Sequence, residues 1–94
     1  MPEIHPRTID VRGKKWTLAT FPLKGLWGNC DHPTTKKKQI TIDPRQTGLT
    51  MIDTLLHEFL HSAQPDLSES AVEEIATGAA KMLWDLGYRG EWDE

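Results

Sequence analysis

A single cysteine, Cys30, in a chain of 94 residues excludes an intramolecular disulfide, and nothing argues for an oxidising compartment. No uninterrupted apolar stretch approaches the roughly 18 residues that a membrane span requires. The first residues, Met1-Pro2-Glu3-Ile4-His5-Pro6, lack the charged and apolar regions of a signal peptide. A soluble, cytoplasmic protein without membrane partners is therefore expected. Positive charge is also scarce. The formal net charge is -3 and no face is obviously basic, which argues against a general nucleic-acid-binding role. Lys36-Lys37-Lys38 is the only basic run and reads as a solvated loop or strand start. Repeats, low-complexity segments and linkers are missing too, so residues 1–94 are expected to form one domain. With 37% hydrophobic residues there is enough for one modest core.

What is present divides into two halves of different period. Ile9-Asp10-Val11 and the run 16–21 alternate in polarity around Arg12-Gly13-Lys14-Lys15, which predicts a hairpin. Residues 26–30 suit a third strand, and Gln39-Ile40-Thr41-Ile42-Asp43 a further one, stopped by Pro44. A small, mainly antiparallel sheet of three or four strands is expected. In the second half, Leu49, Ile52, Leu55, Leu56, Phe59, Leu60 and Ala63 recur at helical spacing, with Thr47 or Thr50 as candidate N-caps. Pro65 closes this helix, and Asp66 or Ser68 can cap the next. Its apolar stripe runs Val72, Ile75, Ala76, Ala79, Ala80, Leu83 and Leu86, ending at Gly87. The fold class is α+β, a sheet followed by two packed helices.

His57-Glu58-Phe59-Leu60-His61 is an HExxH pattern inside the first of these helices. Imidazoles at i and i+4 share a helical face and can reach one metal ion, and the intervening Glu58 stands beside the open coordination position. Without metal, the pattern is an amphipathic helix with two surface histidines. A catalytic zinc site has three protein ligands, so the third must come from outside this helix. His5, Cys30, His32, Asp66, Glu69, Glu73 and Glu74 are the candidates. Glu69 continues the apolar stripe of the second helix and faces inward, Glu73 lies one turn deeper, and Glu74 points toward solvent.

HExxH followed by a helix that carries Glu69 and Glu73 four residues apart resembles the gluzincin metallopeptidases, and small phage-encoded zincin-like proteins look closer still. The resemblance spans residues 16–89. It implies a minimal zincin-like fold, Zn2+ as cofactor, and His57, His61 and Glu69 as ligands, with Glu73 supporting a ligand histidine. An alignment to a related peptidase family makes Glu73 the ligand instead. The turn between His61 and Glu69 is only seven residues, shorter than in the large gluzincins. The expected function is a zinc-dependent hydrolase, a peptidase with Glu58 as general base acting on a peptide or protein substrate. The edge strand that binds substrate would be residues 26–30 or 39–43, and Tyr88 or Arg89 is a candidate for stabilising the oxyanion. The alternatives are a zinc-binding regulatory or protein-interaction module without catalysis, and a metal-free helical interaction domain.

Overall fold

Alternating polarity on either side of Arg12-Gly13 is realised as a hairpin, in which β1 (Arg7–Val11) pairs antiparallel with β2 (Lys14–Thr20). Arg12 and Gly13 take positive φ, 52° and 82°, the backbone of a two-residue turn that matches the strands' twist. A non-glycine residue is strained there by roughly 1–2 kcal/mol. Arg12 offsets this by reaching the first helix, where its guanidinium donates to the Ala63 carbonyl at 3.1 Å. The computed structural model describes residues 6–90; His5, a candidate ligand, lies outside them.

With β3 (Gly28–Cys30) and β4 (Gln39–Ile42) the sheet has four strands in the order β1-β2-β4-β3. It is mixed rather than mainly antiparallel, because β4 pairs parallel with β2 and antiparallel with β3. The chain path explains this. Residues 21–27 carry the chain past the neighbouring position to the outer edge, and β4 then returns into the gap. The third strand is shorter than expected, leaving Leu26 and Trp27 outside it, each about half exposed. Trp16, Ile40 and Ile42 point to one face and join Val11, Met51 and Ala63 in the core. The alternate positions Thr17, Gln39 and Thr41 face away from the helices and stay partly accessible.

Helix α1 (Gly48–Ala63) covers the first face, and α2 (Glu69–Asp85) packs on α1 rather than on the sheet. Thr47 occupies the N-cap of α1 without a side-chain cap bond. Ser68, not Asp66, caps α2 by accepting from the Ala71 N–H at 3.2 Å. Gly87, at φ 104°, ends α2 with two backbone bonds, from the Gly87 N–H to Trp84 and from the Tyr88 N–H to Leu83. The inward stripe of α2 is narrower than its sequence suggests. Val72, Ala76 and Ala80 are fully buried, whereas Ile75 and Leu86 are 48% and 70% exposed. The two alanines allow close approach to α1, and burial of Val72 alone stabilises by about 1.5–3 kcal/mol. Phe59 of α1 is likewise more exposed than its spacing implies. No helix among the described residues is long and apolar enough to cross a membrane.

Candidate metal centre

Two backbone features bring a third functional group to the histidines of α1. The Gln64 N–H caps the helix by bonding the Leu60 carbonyl at 2.7 Å, and the Leu67 N–H bonds Gln64. Pro65 cannot continue the helix, and Ser68 starts the next one immediately. Glu69 is therefore the first residue of α2, where a carboxylate is favoured by the helix dipole.

Its carboxylate meets both imidazoles. Glu69 Oε1 lies 2.9 Å from His57 Nε2, and Oε2 lies 3.2 Å from His61 Nε2. The two Nε2 atoms are themselves 3.1 Å apart, with the rings edge to face. Hydrogen bonds cannot satisfy all three contacts. If both nitrogens are protonated to donate to Glu69, the two N–H groups oppose each other; if one is not, its lone pair faces the carboxylate. One cation in the middle satisfies all three. A tetrahedral zinc site with bonds of about 2.0–2.1 Å has ligand atoms about 3.3 Å apart; here the two nitrogens are 3.1 Å apart and each faces its own oxygen of the carboxylate. Among the described residues, His57, His61 and Glu69 form the group able to hold a metal ion.

The other described candidates do not join this group, although Cys30 and His32 border the cleft beside it. Glu73 and Glu74 are exposed, and Glu73 makes no hydrogen bond or ion pair with any described residue, so the supporting contact to a ligand histidine is not formed. Asp66 is exposed. His32 Nδ1 is engaged in its own turn, with Thr34. Cys30 borders the site, but burial, with the charges of Glu58 and Asp31, pushes its thiol up to about 12. Its thiol donates to the Asp31 carbonyl at 3.2 Å and does not join the His57, His61 and Glu69 group. Tyr88 and Arg89 do not border the site. Arg89 stacks on Trp84 at 4.2 Å and donates to its carbonyl.

Glu58 is the buried member of the pentapeptide, at 8% exposure. Burial raises its carboxyl above the usual carboxylate range and Glu69 adds to the rise, while His57 and His61 pull the other way. It lines an open cleft of about 420 Å³ with the two histidines, Glu69 and the edge strand β3. Gly28 is what lets β3 come so close. A Cβ there would lie 2.8 Å from Glu58 Cγ, 2.9 Å from its Oε2 and 2.8 Å from Thr54 Cγ2. A glycine in a short strand is the sequence signal for such an approach.

A buried polar network, not foreseen from sequence, holds that strand in place. The Asp43 carboxylate is fully buried and accepts from the Leu23 and Arg45 N–H groups and from the Arg45 guanidinium. The guanidinium, the opposing cost of burial notwithstanding, holds its carboxyl far below the usual range. Gln46 donates to the carbonyls of Trp27 and Asp43 and accepts from the Thr54 hydroxyl. Loop 21–27, β4 and α1 are thus tied together one residue before Gly28.

No family model matches the chain, and neither does any curated protein or solved structure.

Proposed function

We propose that the chain is a minimal zinc-dependent peptidase of the gluzincin type. The observation that carries this reading is the convergence of His57, His61 and Glu69, each imidazole facing its own carboxylate oxygen and the two nitrogens 3.1 Å apart, with Glu58 buried beside them. The donor set, two imidazoles and a carboxylate, suits zinc in a site that leaves a position open. Bound there, zinc would supply Lewis acidity toward a substrate carbonyl and toward water.

The chain's own residues account for the remaining steps. Glu58 takes the proton of the attacking water and passes it to the leaving amine. Its proton affinity, raised by burial, suits the return of the proton as well as its uptake. Of the two strands considered for substrate, β4 lies inside the sheet between β2 and β3 and has no free edge. β3 is an edge strand on the cleft, so an extended peptide would add to it by backbone hydrogen bonds.

Zinc content of protein purified without a metal-affinity tag tests the site: one zinc per chain is expected. A content far below that, unchanged by added zinc, overturns the reading. The Glu58→Gln variant tests the chemistry, because it should keep the zinc and lose about 10²–10⁴-fold in peptide cleavage. Zinc at full occupancy with no cleavage by either form would instead identify a zinc-stabilised interaction module.

A further inference from the structure

A second constellation sits at the end of the sheet where β2 and β4 begin. These strands are parallel neighbours with Thr17 opposite Gln39, and the Thr17 N–H donates to the Lys38 carbonyl at 2.9 Å. The residues around their starts, Lys14-Lys15 and Lys36-Lys37-Lys38, are therefore brought side by side. They surround a depression of about 630 Å³ whose other lining residues, Thr17 and Gln39, face away from the helices. Among the described residues no acidic side chain lines it, although Asp31 Oδ2 accepts from the Gln39 N–H at 3.1 Å. Lys15 has an exposed ion pair with Asp10 at 3.0 Å, and Lys38 donates to the Thr35 carbonyl. Lys14, Lys36 and Lys37 have no ion pair among the described residues.

This corrects the expectation that no face is basic. The chain has 11 basic and 14 acidic residues. With these five lysines set aside, six basic residues face fourteen acidic ones, so the positive charge is concentrated at one end of an otherwise acidic molecule.

We propose that this depression docks a short run of acidic side chains on another polypeptide. Its chemistry favours that partner over nucleic acid. Among the described residues that line it there is no aromatic ring to stack a base. Lysine ammonium groups act as point charges without the forked geometry that reads phosphates and bases. A long polyanion leaving the depression also meets the acidic remainder of the surface, whereas a short acidic run does not. The position supplies a use. Cys30 of the cleft pairs with Ile40, two residues from Lys38, about 7 Å along the strand. A peptide on β3 that runs beyond Cys30 arrives at this end of the sheet, so the depression serves as an auxiliary docking site beside the cleft. That use rests on the peptidase reading; the docking itself does not.

Fluorescence anisotropy tests it, using a fluorescein-labelled peptide with a run of glutamates, its all-glutamine twin, and single-stranded and duplex oligonucleotides of matched charge. The glutamate peptide is expected to bind at low ionic strength and the twin not to. The Lys36→Gln/Lys37→Gln/Lys38→Gln variant should weaken binding about tenfold, since each exposed charge pair contributes little by itself. The Lys14→Gln/Lys15→Gln variant should weaken it less, reporting from the other strand. Equal binding of the twin, indifference to both lysine variants, or tighter binding of either oligonucleotide overturns the proposal. The measurement needs no turnover. A protein that cleaves nothing can pass it, and an active peptidase indifferent to acidic runs fails it.

Discussion

At the start of α1 a buried carboxylate, Asp43, is surrounded by donors; near its end a carboxylate, Glu69, faces two nitrogens that cannot both serve it and avoid each other. The clusters are similar in composition and opposite in kind. Around Asp43 and Gln46 each hydrogen bond joins a donor to an acceptor, and the result ties loop 21–27 to β4 and α1. Around Glu69 four atoms converge, hydrogen bonds to the carboxylate leave the two nitrogens set against each other, and the side chains stay partly or largely open to solvent. The first pattern is what a fold needs to seat an irregular loop. The second is what an ion needs. Polar side chains in proximity are thus not by themselves a site; the test is whether their own hydrogen bonds close.

The sharpest way to break the contrast is Glu69→Ala. Loss of one of three ligands should weaken zinc binding by at least about a hundredfold, above the 10–100-fold typical of outer supporting groups. A competition titration with a chromophoric chelator measures it. Retained affinity would return the choice to Glu73, whose own alanine variant is expected to bind zinc within about twofold of the parent.

Asp43→Ala attacks the other cluster. It leaves the Leu23 N–H and the Arg45 side chain without their acceptor and should cost about 2–3 kcal/mol, read by urea denaturation of chelated protein, while zinc content of the folded protein is unchanged. The effect has a pH signature. Because the folded-state carboxyl is depressed, its contribution is complete above the unfolded value of about 3.9 and is lost as pH falls toward the folded one. The gap in stability between parent and variant should therefore be constant near neutrality and narrow below about pH 4. A gap that widened in acid would contradict the assignment.

The smallest expected effect comes from Gly28→Ala, which links the clusters. The new methyl must displace Glu58 or Thr54. A shift of a few tenths of an ångström in the base should lower kcat about tenfold with KM little changed, and zinc content should not move. An unchanged kcat would show that β3 does not set the position of Glu58.

Much of this was readable in the residues. HExxH, the helical stripes and Pro65 locate both histidines and the return turn, because these signals are local. Glu69 was legible as an inward position on α2, although its simultaneous contact with two imidazoles needs the tertiary turn. The parallel β2–β4 pairing was not legible, since alternation fixes which face a side chain takes and not which strand it lies beside. The gathering of five lysines follows from that pairing and was hidden with it: Lys14 and Lys36 are distant in sequence and adjacent only because the two strands run the same way. The Asp43 network was hidden for a related reason, as its members come from three separate segments.

The brevity of the turn between α1 and α2 has a consequence for how the molecule assembles. The atoms able to hold an ion are drawn from thirteen consecutive positions, 57–69, whereas β2 meets β4 across a separation of twenty-two. Closing the shorter span costs less chain entropy, and contacts of short separation form early. An ion can therefore be captured by the helical hairpin before the sheet has found its strand order. In that sequence of events the centre is a clasp that pins α2 to α1 first and offers the sheet a finished surface to condense on.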